Sequence, residues 1–444
     1  MYNRTVKLFV LALLHAAAYH FAYVDFLYAV FAYFDFRYEP TSTGYMVWTY
    51  LAAALPVLAT RESNEPSAVG CALIFVLSYV PVQLTMTFMW AEKTVELFVV
   101  QVMLILSMVA LFRSCAPARA AEDAAPDYEA ALFYPGPLTT SIHVMTVFGL
   151  LLLISEFHSI MKFVSFDNVY DLRSDAAAIQ ASTFTNYLIM WLTYCFGPFY
   201  IARALIKGRK ADWAVGVGIL FLIYSATASK LALMTPLFMF AMKYIDNGRD
   251  EFLMRFLIVV VVGIGFMVAV IPDEGILRWV NSIFLMRVFG SNGWTAAAYY
   301  EYFSTHGYTF YNHIGPINAV FGAYPYGDRL LGQEIAQAYF NLDNANFNAG
   351  FWASDAFAAL GMVGIPIVTF FACLFLKSLN EVTRHFPLRL VNLWLLGFWM
   401  ALMNVPLSTA LLSCGGLLVI LLLRLARPLP EESACTPGLR PELS

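Results

Sequence analysis

Charge is what this chain most conspicuously lacks. Of its 444 residues only 13% are Asp, Glu, Lys or Arg, against roughly 25% in soluble globular proteins. So few charges cannot cover a water-facing surface. They suit a lipid-facing one, because a Lys, Arg or Asp at the centre of a spanning helix costs about 2.5–3.5 kcal/mol on insertion scales. The basic residues are not gathered into a patch and the net charge is −4, which argues against a nucleic-acid partner. Cysteine is sparse too. Cys71, Cys115, Cys195, Cys373, Cys414 and Cys435 are all of it, and none falls in 272–350, so no disulfide framework is expected there. HExxH and CxxC do not occur, and no bound transition metal is expected. Neither GxxxxGK[ST] nor GxGxxG occurs, which leaves nucleotide-driven chemistry without support. No cofactor is implied, no internal repeat is visible, and no cleavable signal is evident, since small-residue cleavage chemistry does not follow the first apolar run.

Apolar sequence is abundant: 60% of residues are hydrophobic and the mean hydropathy is +0.68. Runs of about 20 residues, each able to span roughly 30 Å of hydrocarbon, fall at 7–24, 43–59, 68–88, 94–112, 140–158, 182–204, 212–227, 231–245, 254–271, 351–376, 390–405 and 407–424. Their Gly and Pro content reads as helix. A membrane β-barrel would instead alternate over segments of about ten residues. The expected fold is an all-α polytopic membrane protein with about 12 transmembrane helices. Helices one to four occupy 1–112, a polar Ala/Pro-rich cytoplasmic linker 113–138, helices five to nine 139–271, a large loop 272–350, helices ten to twelve 351–427, and a Pro- and Glu-rich tail 428–444, expected to be disordered.

Basic residues set the orientation. With the N-terminus in the cytoplasm, 18 Lys and Arg fall inside and 8 outside. Both termini are then cytoplasmic and the 79-residue loop 272–350 is outside. Loops beyond about 12–15 residues are usually functional or disordered. Sixteen aromatics fall from Trp294 to Trp352, all but the last two within this loop, whereas disordered segments are poor in them. It is expected to be folded and partly helical, a cap on the membrane surface.

The outer cations are Arg173, Lys230, Arg278 and Arg287, with Arg329 a weaker fifth. They can be read as interfacial anchors that snorkel to lipid phosphates, or as an anion site. Spans starting near 182, 231 and 351 would present helix N-termini outward, with unpaired N–H groups and partial positive charge. Lys230 lies at one such end. Asn344, Asn346 and Asn348, then Gly350, lie just before another. Anion-binding groups, aromatic rings and an amide cluster at one surface point to a lipid-linked sugar, although Tyr and Trp also form interface belts.

Here the chain resembles the oligosaccharide repeat-unit polymerases of bacterial envelopes, the O-antigen polymerase type. The matching segments are Ser229-Lys230 before an apolar span ending in Lys243; Arg287-Val-Phe-Gly; Tyr299-Tyr300-Glu301-Tyr302-Phe303; Tyr308 to His313; Gly332-Gln333-Glu334; and Asn344 through Asp355, followed by Gly361 and Gly364. They cover roughly 165–365, in order; elsewhere the likeness is one of hydropathy. The resemblance implies residence in the bacterial inner membrane. It also implies transfer of a growing glycan from undecaprenyl diphosphate to the next lipid-linked unit, without nucleotide sugar or metal. Implied partners are the lipid-linked oligosaccharide, membrane lipids, and a chain-length regulator and flippase of the same pathway.

A glycosyl diphosphate already carries a good leaving group. Catalysis needs charge stabilisation on the diphosphate and a base near the acceptor hydroxyl. Arg287, Lys230, Arg173 and Arg278 are candidates for the first task. His313, Glu334, Asp355 and Glu301 are candidates for the second. Against these roles, Asp355 could simply cap a helix beside Ser354, and His313 could be a hydrogen-bonded loop histidine. Tyr299, Tyr300 and Tyr311 with Asn344, Asn346 and Asn348 are the glycan-binding candidates. Two alternatives remain open: an O-antigen ligase, which would use the same donor, and a polytopic transporter or lipid-linked oligosaccharide flippase. No detectable halves and few mid-membrane charges weigh against the last.

Overall fold

Among the described residues eight helices are long and apolar enough to cross a membrane: Arg4–Phe34, Pro66–Met89, Val95–Ser114, Tyr128–Phe157, Thr183–Lys207, Phe252–Val270, Gly361–Thr383 and Leu407–Leu425. Thr43–Ala59 and Leu388–Leu402 are shorter apolar helices. Lys210–Thr227 and Lys230–Ile245 are helical as well. Each of the twelve apolar runs therefore overlaps a helix. The computed structural model describes residues 2–39, 41–61, 63–90, 94–117, 126–163, 172, 175–176, 178–179, 181–248, 251–271, 274–342, 345–348 and 350–426. No strand occurs among them. Arg173, Asn344 and the tail 428–444 lie outside the described residues.

Pro66–Met89 runs through the middle of the bundle, with 94% of its apolar window buried. Several of its polar side chains find partners within the bundle, as a site without water demands. Gln83 donates to the Tyr79 hydroxyl at 2.9 Å. Gln101 donates to Thr87 Oγ1 at 3.0 Å and accepts from Trp48 Nε1 at 2.9 Å. Outer helices turn apolar residues outward, among them Val144, Val147 and Leu151 on one and Val259, Val262 and Phe266 on another. A water-soluble bundle would bury these and expose charge. The chain is thus an all-α membrane protein.

Among its described residues the segment 272–350 holds four α-helices: Ile276–Leu285, Ser291–His306, Gly315–Phe321 and Leu331–Phe340. Its packing differs from a surface cap. Ser291–His306 is inserted into the bundle, and Asn292 through Tyr300 are all buried. Gly293 permits this. A Cβ there would overlap the Thr85 side chain and lie 2.9 Å from the Pro81 carbonyl, so only glycine lets the two backbones approach. Ala296, Ala297 and Ala298 keep the same helix slim.

The expected span at 351–376 also needs correction. Regular α-helix begins at Gly364. Before it come a π-helical turn, Ala353–Ala358, and a break at Gly361, whose φ of +60° and contact with the Tyr308 ring both require glycine. The last apolar run is likewise interrupted, at Gly415 (φ +92°). Part of the linker 113–138 is helical, Pro126–Phe133. It is gripped by Arg203 and Arg209, which both donate to the Phe133 carbonyl.

Candidate functional site

Phe351 and Trp352 are fully buried, and Trp352 Nε1 donates to Ser107 Oγ at 3.1 Å. This anchor leads into the π-turn Ala353–Ala358, every residue of which is buried. Such turns distort the regular ladder and recur at functional sites. The turn carries Asp355, 3% exposed. Its Oδ1 accepts from His313 Nε2 at 3.0 Å and from Ser408 Oγ at 2.8 Å. Its Oδ2 accepts from the Ser408 backbone N–H at 2.7 Å. The other ring nitrogen of His313, Nδ1, lies 2.8 Å from Thr309 Oγ1. A carboxylate only accepts, so the hydrogen-bond pattern assigns the imidazole proton to Nε2 and leaves Nδ1 as the acceptor of the Thr309 hydroxyl.

The segment that brings His313 here is docked through its backbone. Thr309 N–H donates to the Ala358 carbonyl at 2.8 Å and Phe310 N–H to the Ala359 carbonyl at 3.0 Å. Phe310 and Tyr311 then adopt φ of +49° and +64°. Two consecutive non-glycine residues in the left-handed region cost about 1–2 kcal/mol each, and strain of this kind clusters at functional sites. The Tyr311 hydroxyl and Asn312 Oδ1 are buried and meet no hydrogen-bond partner among the described residues. Both residues immediately precede His313, and the Tyr311 ring lies 6.2 Å from the imidazole. Burial, and after it the Asp355 carboxylate, push the Tyr311 phenol up to about 12. It stays protonated at neutral pH and can donate. The arrangement offers an acceptor nitrogen backed by a carboxylate, with a phenol donor nearby.

The other acidic candidates go elsewhere. Glu334 accepts from the Tyr302 hydroxyl at 2.7 Å and faces Arg329 at 3.7 Å. Glu301 pairs with Arg37 at 3.0 Å, and Arg37 also holds Asp35 at 2.7 Å. Tyr299 and Tyr300 lie inside the core. The Tyr299 hydroxyl donates to the Phe347 carbonyl at 2.9 Å, and that of Tyr300 donates to Glu96. Neither ring presents a face for a sugar. Asn346 packs against Gly332, and Asn348 Oδ1 accepts from Ser354 Oγ at 3.2 Å. Among the cations, Arg278 donates to the Asp25 carbonyl at 2.5 Å and lies over the Phe26 ring. Lys230 opens the helix Lys230–Ile245. Arg287 is exposed on a π-turn between two helices.

Of the four acid–base candidates, hydrogen bonding joins His313 to Asp355 and draws Glu334 and Glu301 into separate ion pairs. Sequence reading passed over Ser408, Thr309 and Arg37. Ser408 could have been flagged, since Pro406-Leu407-Ser408-Thr409 reads as a helix start. Nothing local marks Thr309 or Arg37. No family model, curated protein or solved structure matches the chain.

Proposed function

We propose that this protein polymerises undecaprenyl-diphosphate-linked oligosaccharide repeat units at the periplasmic face of the bacterial inner membrane, during synthesis of a surface polysaccharide. In this reading twelve spans with both termini in the cytoplasm put 272–350 outside. The supporting observation is the buried Asp355–His313 pair where that segment meets the next apolar helix. An acceptor sugar hydroxyl takes the place of the Thr309 hydroxyl at His313 Nδ1 and gives up its proton there. Asp355 stabilises the imidazolium that results. The acceptor oxygen bonds to the anomeric carbon of the donor, the bond from that carbon to the diphosphate oxygen breaks, and the lipid diphosphate leaves with the electron pair. Tyr311 supplies a hydrogen bond to a substrate oxygen. Exposed Arg287, with Lys230, Arg278 and Arg173, is assigned to the diphosphate, Arg by its planar fork and Lys as a point charge.

The test is polymer length on gels from cells carrying His313→Ala, Asp355→Asn or Arg287→Ala, with membrane abundance checked by blot. A positioned base contributes about 10²–10⁴-fold, so the first two variants should leave single repeat units in place of polymer. Wild-type chain lengths in both at normal abundance would remove the pair from the chemistry and the reading with it.

A further inference from the structure

The C-terminal end of the helix Ser291–His306 emerges from the core. There Tyr302 and His306, one turn apart, stack with ring centroids 4.1 Å apart and planes 7° from parallel. Tyr326 leans on Tyr302 at 6.2 Å and stands edge-on to Phe303 at 5.4 Å. Tyr324 stands edge-on to Tyr326 at 5.9 Å. His306 is exposed and the three tyrosines are half-buried, unlike Tyr299 and Tyr300.

Each phenol is pinned. The Tyr302 hydroxyl donates to Glu334 at 2.7 Å, that of Tyr324 to the Arg329 carbonyl at 2.7 Å, and that of Tyr326 to the Gly307 carbonyl at 2.7 Å. The rings therefore cannot swing, and binding against them loses little conformational freedom. At the edge of the group the Arg329 guanidinium, 51% exposed, faces Glu334 at 3.7 Å.

We propose that Tyr302, His306, Tyr324 and Tyr326 form a saccharide-binding platform, with Glu334 and Arg329 hydrogen-bonding sugar hydroxyls. That the saccharide is the repeat-unit glycan rests on the function proposed above. The chemistry of the patch selects this ligand class. Fixed aromatic rings meet the C–H faces of a pyranose, and a carboxylate beside a guanidinium offers acceptor and donor to adjacent hydroxyls. A hydrocarbon chain would make no use of that ion pair. The placement fits as well. His306 precedes Thr309, the residue at His313 Nδ1, by three positions, which the chain can stretch to at most about 11 Å. A short oligosaccharide lying on the platform can present one of its hydroxyls to His313. Glu334, a candidate base in the sequence, becomes a ligand-binding residue.

The experiment measures equilibrium binding on the full chain in lipid nanodiscs. The probe is short oligosaccharides released by mild acid from the surface polysaccharide of the source cells. Tyr326→Ala, His306→Ala and Glu334→Gln should each weaken binding by about tenfold or more, equivalent to about 1.4 kcal/mol per tenfold. Thermal midpoints of the variants matching wild type guard against misfolding, and His306, being exposed, guards against it independently. Unchanged affinity in the alanine variants, or no saturable binding by the wild type, overturns the platform. Binding is read without turnover, so this result stands apart from the polymer assay on His313 and Asp355.

Discussion

Asp355 takes three hydrogen bonds from two segments far away in the chain, and that sets its role. The carboxylate fixes the tautomer of His313, and Ser408 fixes the carboxylate. Tyr311 is the companion whose protonation can be followed. Its phenol is raised from 10.0 to about 12 by burial first and by Asp355 second. A group raised in the folded state contributes stability that is complete below its unfolded value and is lost as pH climbs through its folded value. Tyr311 should therefore stabilise the fold fully below about pH 10 and progressively less toward about 12. The check is the thermal midpoint of the detergent-solubilised protein across that range. Tyr311→Phe should fall less steeply than wild type, and parallel curves would show that Tyr311 is not held neutral by this site.

At the scale of the element, the helix Ser291–His306 decides the most. Its aromatics suggested a surface cap, because a run of Tyr and Trp in a long loop looks the same from composition whether the rings face lipid, sugar or core. Packing separates them. The N-terminal half, slim at Gly293 and Ala296 to Ala298, is buried against Pro66–Met89, and only the last turn with Tyr302 and His306 reaches the surface. Gly293→Ala should then drive a methyl into Thr85 and the Pro81 carbonyl. Overpacking of this kind costs about 1–3 kcal/mol, which should appear as a lowered thermal midpoint in detergent. An unshifted midpoint would mean that the two helices do not meet as closely as described. The π-turn at Ala353–Ala358 was equally hidden, since an apolar run at 351–376 reads as one uninterrupted helix until Gly361 and Gly364 are seen to fold it back on Tyr308 and Ala356.

For the whole molecule, function depends on which face is cytoplasmic. The proposed orientation, with the N-terminus in the cytoplasm, rests on the bias of 18 basic residues to 8. Reporter fusions at Lys210 and Arg384 should therefore read cytoplasm, and one near Tyr326 should read the outer side. A cytoplasmic signal at Tyr326 would reverse the orientation and put both the His313 site and the aromatic platform on the wrong face for the proposed chemistry.

Composition alone determined that this is a helical membrane protein, and the apolar runs marked where its helices lie. Hydropathy is a local, nearly additive property, so a window of twenty residues carries the information. The candidate residues were partly legible: a carboxylate just inside an apolar run is costly unless used, which drew Asp355 into view, and His313 stood in the segment Tyr308 to His313 that carries the resemblance. What joins them was not legible. His313 and Asp355 are 42 positions apart, Asp355 and Ser408 are 53 apart, and Arg37 reaches Glu301 across 264. Pairings over such separations depend on how the helices pack and where glycine lets them touch. The tertiary structure alone therefore decided that Glu334 and Glu301 belong to other ion pairs, that Tyr299 and Tyr300 are core, and that His313 is the acid–base candidate backed by a buried carboxylate.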